Sequence, residues 1–149
     1  MARVLIKKLN PLVKTPSYKT SGASGMDLMA FIDKPILLKP KTSYLVPTGL
    51  SFAFSYGYEI QIRPRSGLAL KNSISVLNTP GTIDSDYRGE IKIILFNHSD
   101  NDFTINNGDR IAQMILTPVV KIELEEVNNL PDTTRGKGGF GSTGKWKKN

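Results

Sequence analysis

There is no cysteine among the 149 residues, and there is a single histidine and a single tryptophan. Without thiols the chain has neither a disulfide framework nor a thiolate metal site, and one histidine leaves little room for imidazole chemistry. Catalytic work therefore falls to carboxylates, hydroxyls and a bound metal. No apolar stretch approaches the roughly 20 residues that span a bilayer, and Met1–Lys8 lacks the apolar core of a signal peptide. A soluble, cytoplasmic protein without a membrane partner is the expectation. Helical periodicity is also scarce.

Charge of one sign is plentiful. The net charge of +7 attracts phosphate, whether it belongs to a nucleic acid or to a free nucleotide, so charge alone does not choose a ligand. Lys137, Lys145, Lys147 and Lys148 gather near Trp146 among glycines, the composition of a solvated tail.

The chain is organised around Asn78-Thr79-Pro80-Gly81-Thr82-Ile83-Asp84-Ser85-Asp86-Tyr87-Arg88-Gly89-Glu90, followed by the apolar run Ile91–Phe96. Pro80, Gly81 and Gly89 punctuate two turns between β-favouring residues, which reads as a tight β-hairpin or a looped strand pair. Its rim carries two carboxylates, an amide and a phenol. Such a rim can hydrogen-bond the edge of a flat heterocycle; it equally reads as an Asp/Gly-rich turn whose carboxylates cap local N–H groups.

Around it the spacing predicts strands. Tyr58–Arg63 alternates with period two, placing Tyr58, Ile60 and Ile62 on one face and Glu59, Gln61 and Arg63 on the other. Leu50–Phe54 and Val119–Val127 alternate as well, the latter reading as a last strand. Pro64 ends one run, and Ser66–Asn72 reads as a short helix whose start suits either an anion beside Arg65 or N-capping by Ser66. Asp27 sits in an apolar strand-like setting and needs a partner if buried. His98 reads as a loop residue with no partner in sight and is left out of the site. At least eight short β-type segments argue for an antiparallel sandwich or barrel in one domain. From Asn128 the composition shifts to Gly, Lys, Ser and Thr, so residues 1–127 are expected to form the barrel and 128–149 a flexible arm.

Five stretches in order carry a family resemblance. They are Ala23–Ala30, Arg63–Ala69, the Asn78–Glu90 hairpin, Gly108–Met114 and Arg135–Gly144, and together they make the chain similar to the trimeric dUTP pyrophosphatases (dUTPases). The resemblance implies an all-β, jelly-roll-like antiparallel barrel, a homotrimer with shared active sites and an arm that closes over them. It implies hydrolysis of dUTP to dUMP and pyrophosphate with Mg2+ as cofactor and no stable nucleic-acid partner. Arg65, Ser66, Gly67 and Gln113 would meet the phosphates. Asn78 and backbone groups of Gly81, Thr82, Ile83, Asp84 and Lys92 would read uracil, and Tyr87 would stand against C2′ of the sugar. Asp84 would be the catalytic base, Asp86 would support the turn, and Asp109 and Arg110 would lock the site. Asp27 would hold waters around a metal carried mainly by the triphosphate. Phe140 would stack on the base, with Arg135, Gly141, Ser142 and Thr143 completing the closed arm. A deoxycytidine triphosphate deaminase shares the architecture, and a catalytically silent basic barrel that binds nucleic acid is the reading outside enzymes.

Overall fold

Short, β-branched, alternating segments broken by Gly and Pro pair into sheets in the computed structural model, which describes residues 2–139. The strands are β1 (Val4–Lys8), β2 (Met26–Met29), β3 (Ile36–Leu38), β4 (Ser43–Pro47), β5 (Leu50–Phe54), β6 (Tyr58–Arg63), β7 (Ile74–Val76), β8 (Gly81–Ile83), β9 (Lys92–Asn97), β10 (Phe103–Ile105) and β11 (Arg110–Pro118), with one helix, α1 (Ser66–Asn72), between β6 and β7. All pairings are antiparallel: β1 with β5, β3 with β10, the four-stranded order β2-β11-β6-β8, and the three-stranded order β4-β9-β7. The architecture is the jelly-roll-like barrel that the sequence leads one to expect.

The inner faces supply one core, in which Leu28, Leu38, Val46, Ile60, Ile74, Ile93, Leu95 and Ile105 are each at most 1% exposed. Burying such a side chain contributes about 2 kcal/mol before entropy is counted. In β6, Ile60 and Ile62 are buried while Tyr58 at the strand's mouth is 37% exposed, so the alternation holds with a frayed first position. Among the described residues no helix is long and apolar enough to cross a membrane.

The Asn78–Glu90 stretch takes the form of a looped strand pair and not a tight hairpin. β7 and β9 form the ladder, with Val76 opposite Leu95, and the long loop between them lends β8 to the other sheet, where Thr82 lies opposite Gln61. α1 begins after Arg65, which occupies the N-cap position in extended backbone with no side-chain cap. Ser66 is thus the first helical residue, and capping by its hydroxyl is ruled out.

The strand expected over Val119–Val127 does not form. β11 ends at Pro118, the Val119 N–H donates to the Gly57 carbonyl at 2.8 Å, and beyond it Val120, Ile122 and Leu124 are 87%, 78% and 86% exposed. Alternation marks a face meant for burial, but a strand also needs a neighbouring edge to satisfy its backbone, and among the described residues none takes it.

Candidate functional site

β2, β11 and β6 place Asp27, Gln113 and Arg63 side by side in register. The Asp27 carboxylate, 16% exposed, accepts from Arg65 Nε at 2.8 Å on one oxygen and from an Arg110 guanidinium nitrogen at 3.1 Å on the other. A second Arg65 nitrogen donates to the Arg110 carbonyl at 3.0 Å. The partner that a half-buried carboxylate requires is therefore a pair of guanidiniums, and charge-assisted geometry of this kind offsets desolvation. One negative and two positive charges leave a local excess of one positive charge. Gln113 lies beside this group, its Nε2 donating to the Pro64 carbonyl at 2.9 Å, and a Cβ on Gly25 would come within 2.8 Å of its Oε1. Gly25 thus lets β2 approach the amide closely.

Ser66 and Gly67 follow at the exposed start of α1. The first helical hydrogen bond runs from Ala69 N–H to the Arg65 carbonyl, so the N–H groups before it have no partner inside the helix. Asp109 does not pair with Arg110; its carboxylate accepts from the Asn106 N–H at 2.7 Å and closes the turn that leads into β11.

The second group of residues lies around β8, an edge strand with one side paired to β6. Gly81 is buried, and a Cβ there would sit 3.2 Å from Asn78 Nδ2 and 3.3 Å from Ile62 Cβ, which explains glycine at the point where the amide folds over the strand. Asn78, Thr82, Asp84 and Tyr87 are exposed. Among the described residues neither the Asp84 nor the Asp86 carboxylate receives a hydrogen bond; the turn expected to rest on Asp86 is braced by Arg88, which donates to the Ser85 and Tyr87 carbonyls at 2.6 and 2.9 Å. Lys92 Nζ stands 3.6 Å from Glu90.

These two groups are far apart in one chain. Asp84 falls level with Glu59 at one end of β6, while Asp27 lies level with Arg63 at the other end and three strands across. With a rise of ~3.3 Å per residue and ~4.8 Å between strands, that separation is about 20 Å. Arg135 is held in a local turn, its Nε donating to the Gly138 carbonyl at 2.8 Å. Phe140, Gly141, Ser142 and Thr143 lie outside the described residues.

Among the described residues no group of three or more His, Asp or Glu side chains is arranged to hold a metal ion. Asp27 suits one at arm's length: both oxygens already accept a guanidinium N–H and retain lone pairs for a water. Such a donor suits Mg2+, which keeps several waters and takes few protein ligands beside phosphate.

His98 does have a partner, contrary to expectation. Its Nε2 lies 2.7 Å from Ser75 Oγ across the β7–β9 ladder, a contact that sequence spacing does not reveal, and its ring packs at 4.5 Å on Phe96, two residues before it in the chain. Nothing local in the sequence announces the bond from the Gly49 N–H to the Glu90 carboxylate either.

Comparison with known proteins adds three findings. The dUTPase family model matches residues 12–144. The chain is 56% identical over 143 residues to a deoxyuridine 5'-triphosphate nucleotidohydrolase of Nautilia profundicola, covering 96% of this chain and 99% of that protein, and 54% identical over 142 residues to one of Hydrogenobaculum sp., covering 95% and 98%. The fold is similar to that of a Staphylococcus bacteriophage 80alpha dUTPase with dUpNHpp, with a TM-score of 0.85 at 24% identity over 95% of this chain and 98% of that one. It is also similar to a phage phi11 dUTPase described for the coordination of a structural Mg(II) ion, with a TM-score of 0.78 at 19% identity over 87% and 99%.

Proposed function

This chain belongs to the dUTPase family and is an enzyme of that family, and on that basis we propose that it hydrolyses dUTP to dUMP and pyrophosphate, supplying dUMP for thymidylate synthesis and keeping uracil out of DNA. The observation that carries the reading is the edge strand β8, whose outer backbone edge has no strand partner among the described residues and lies between an exposed amide, Asn78, and an exposed carboxylate, Asp84. Backbone N–H and C=O groups along such an edge, with Asn78, suit a ring that presents an N–H between two carbonyls. Cytosine replaces one acceptor with a donor and fails that pattern.

Asp84 takes the proton of a water that attacks the α-phosphorus, as the bond to the pyrophosphate oxygen breaks and pyrophosphate leaves. A carboxylate without internal partners is free to point at that water. Arg65 and Gln113, with Ser66 and Gly67, hold the phosphates, and Asp27 keeps the Arg65 guanidinium aimed. Carried on the triphosphate and held through water by Asp27, Mg2+ would neutralise phosphate charge. Tyr87 stands against C2′. The arm of residues 128–149 closes over the nucleotide through Arg135, Phe140, Gly141, Ser142 and Thr143, excluding bulk water.

The two groups stand about 20 Å apart in one chain, which suits sites shared between copies, and the resemblance makes the active unit a homotrimer. The exposed apolar face of residues 119–127 supports this, since a neighbouring copy would cover it. Pyrophosphate release from dUTP, dCTP, dTTP and UTP, each with Mg2+ or chelator, tests the substrate; metal-dependent release confined to dUTP is expected, and none from dUTP would refute the reading. Sharing has its own test. Two inactive variants, Asp84→Asn and Arg65→Ala, unfolded and refolded together in equal amounts, should recover about a quarter of the wild-type activity, one half for each contributing copy. No recovery would mean that each chain builds its own site.

A further inference from the structure

Glu90 stands outside the residues assigned above, yet it joins the end of the substrate loop to the barrel. Its Oε1 accepts from the Gly49 N–H at 2.8 Å, its Oε2 lies 3.6 Å from Lys92 Nζ with the side chain 22% exposed, and its backbone carbonyl accepts from the Tyr87 hydroxyl at 3.1 Å. The anchor it grips is itself rigid. Gly49 has φ +67°, a conformation that favours glycine, and a Cβ there would crowd Val13 and come within 3.1 Å of the Phe31 ring.

Two further bonds reinforce the junction on either side. Thr48 Oγ1, buried, donates to the Ile91 carbonyl at 2.6 Å, and the Ile91 N–H donates to the Leu50 carbonyl at 2.8 Å. On the loop side the Tyr87 ring folds back over Gly89 so closely that a Cβ on Gly89 would overlap the phenol. The ring is thus confined by Gly89 along its edge and by the Glu90 carbonyl at its hydroxyl.

We infer that Glu90 is a positioning residue for sugar selection, fixing Tyr87 through the Gly49 tie so that the ring stays hard against C2′. The inference rests on the reading of Tyr87 as the group that meets the sugar. A wall that rejects one added hydroxyl by shape does so only while it stays in place, and it loses that power once it can retreat. Stiffness of the ring is therefore the specificity device, and Glu90 supplies it from a place where it touches no substrate.

The test is kcat and KM for dUTP and UTP in wild type, Glu90→Ala, Glu90→Gln and Tyr87→Ala. Glu90→Ala is expected to lower the ratio of kcat/KM for dUTP over UTP on the order of tenfold, chiefly through a lower KM for UTP, with kcat for dUTP within about twofold of wild type. Glu90→Gln keeps an oxygen for the Gly49 N–H and should hold the ratio near the wild-type value. A Gln variant as permissive as Ala, or an Ala variant that lowers both substrates alike, overturns the inference. If Glu90→Ala does not fold, Gly89→Ala displaces the same ring by overlap and must give the same loss of ratio. Tyr87→Ala separates the two layers: an unchanged ratio there refutes the sugar reading itself, and this inference with it.

Discussion

Asp84→Asn is expected to lower kcat for dUTP by roughly a thousandfold, within the range that a positioned general base contributes, while KM changes little. The substitution is isosteric and removes the ability to take a proton together with the negative charge. Because Asp84 is exposed and among the described residues its carboxylate braces nothing, the loss should come without unfolding, and the melting temperature should stay within about 2 °C of wild type. Single-turnover hydrolysis with saturating dUTP isolates the chemical step from product release. A variant that retains more than a tenth of the wild-type rate would move the base elsewhere, with Asp86 the next carboxylate on the same loop.

Asp27→Asn is expected to damage both stability and turnover. The carboxylate holds two guanidiniums, and without it they face each other with like charge. Breaking a fully buried pair costs about 3–5 kcal/mol. Here the Arg65 and Arg110 side chains are 24% and 50% exposed, so solvent screening reduces the expected loss to about 2 kcal/mol. Urea unfolding at fixed protein concentration measures it, and the deficit should shrink in high salt as repulsion is screened. Activity should fall by about a hundredfold in kcat/KM, since Arg65 loses the group that aims it. A stability change below about 0.5 kcal/mol would mean that the arginines hold their places unaided.

What the sequence discloses follows from the range over which each interaction acts. Tyr58–Arg63 is legible because its alternation is local and its partners on both sides are strands of the same barrel. Val119–Val127 alternates as clearly and misleads, because period two reports a face and not the edge it will meet. The looped pair at Asn78–Glu90 was half legible: Gly81 and Gly89 announce the turns, but only the register of Thr82 on Gln61 shows that the loop's tip changes sheets. Asp27's need for a partner was readable from the cost of burying charge, whereas its partners lie 38 and 83 residues away in sequence. Ser66 shows the limit at close range, since one residue's shift in the helix start moves the cap to Arg65.

Among the described residues, no hydrophobic side chain beyond Leu116 packs against the core. On the proposed reading, cohesion and assembly are therefore written in different parts of the chain. Substitutions after Pro118 can accumulate without weakening the fold that precedes them, so arm length, charge and, in the proposed closure, closing speed are open to selection as separate traits. On the same reading, a lineage can retune how it grips its substrate, or how firmly copies hold one another, without first surviving an unstable ancestor.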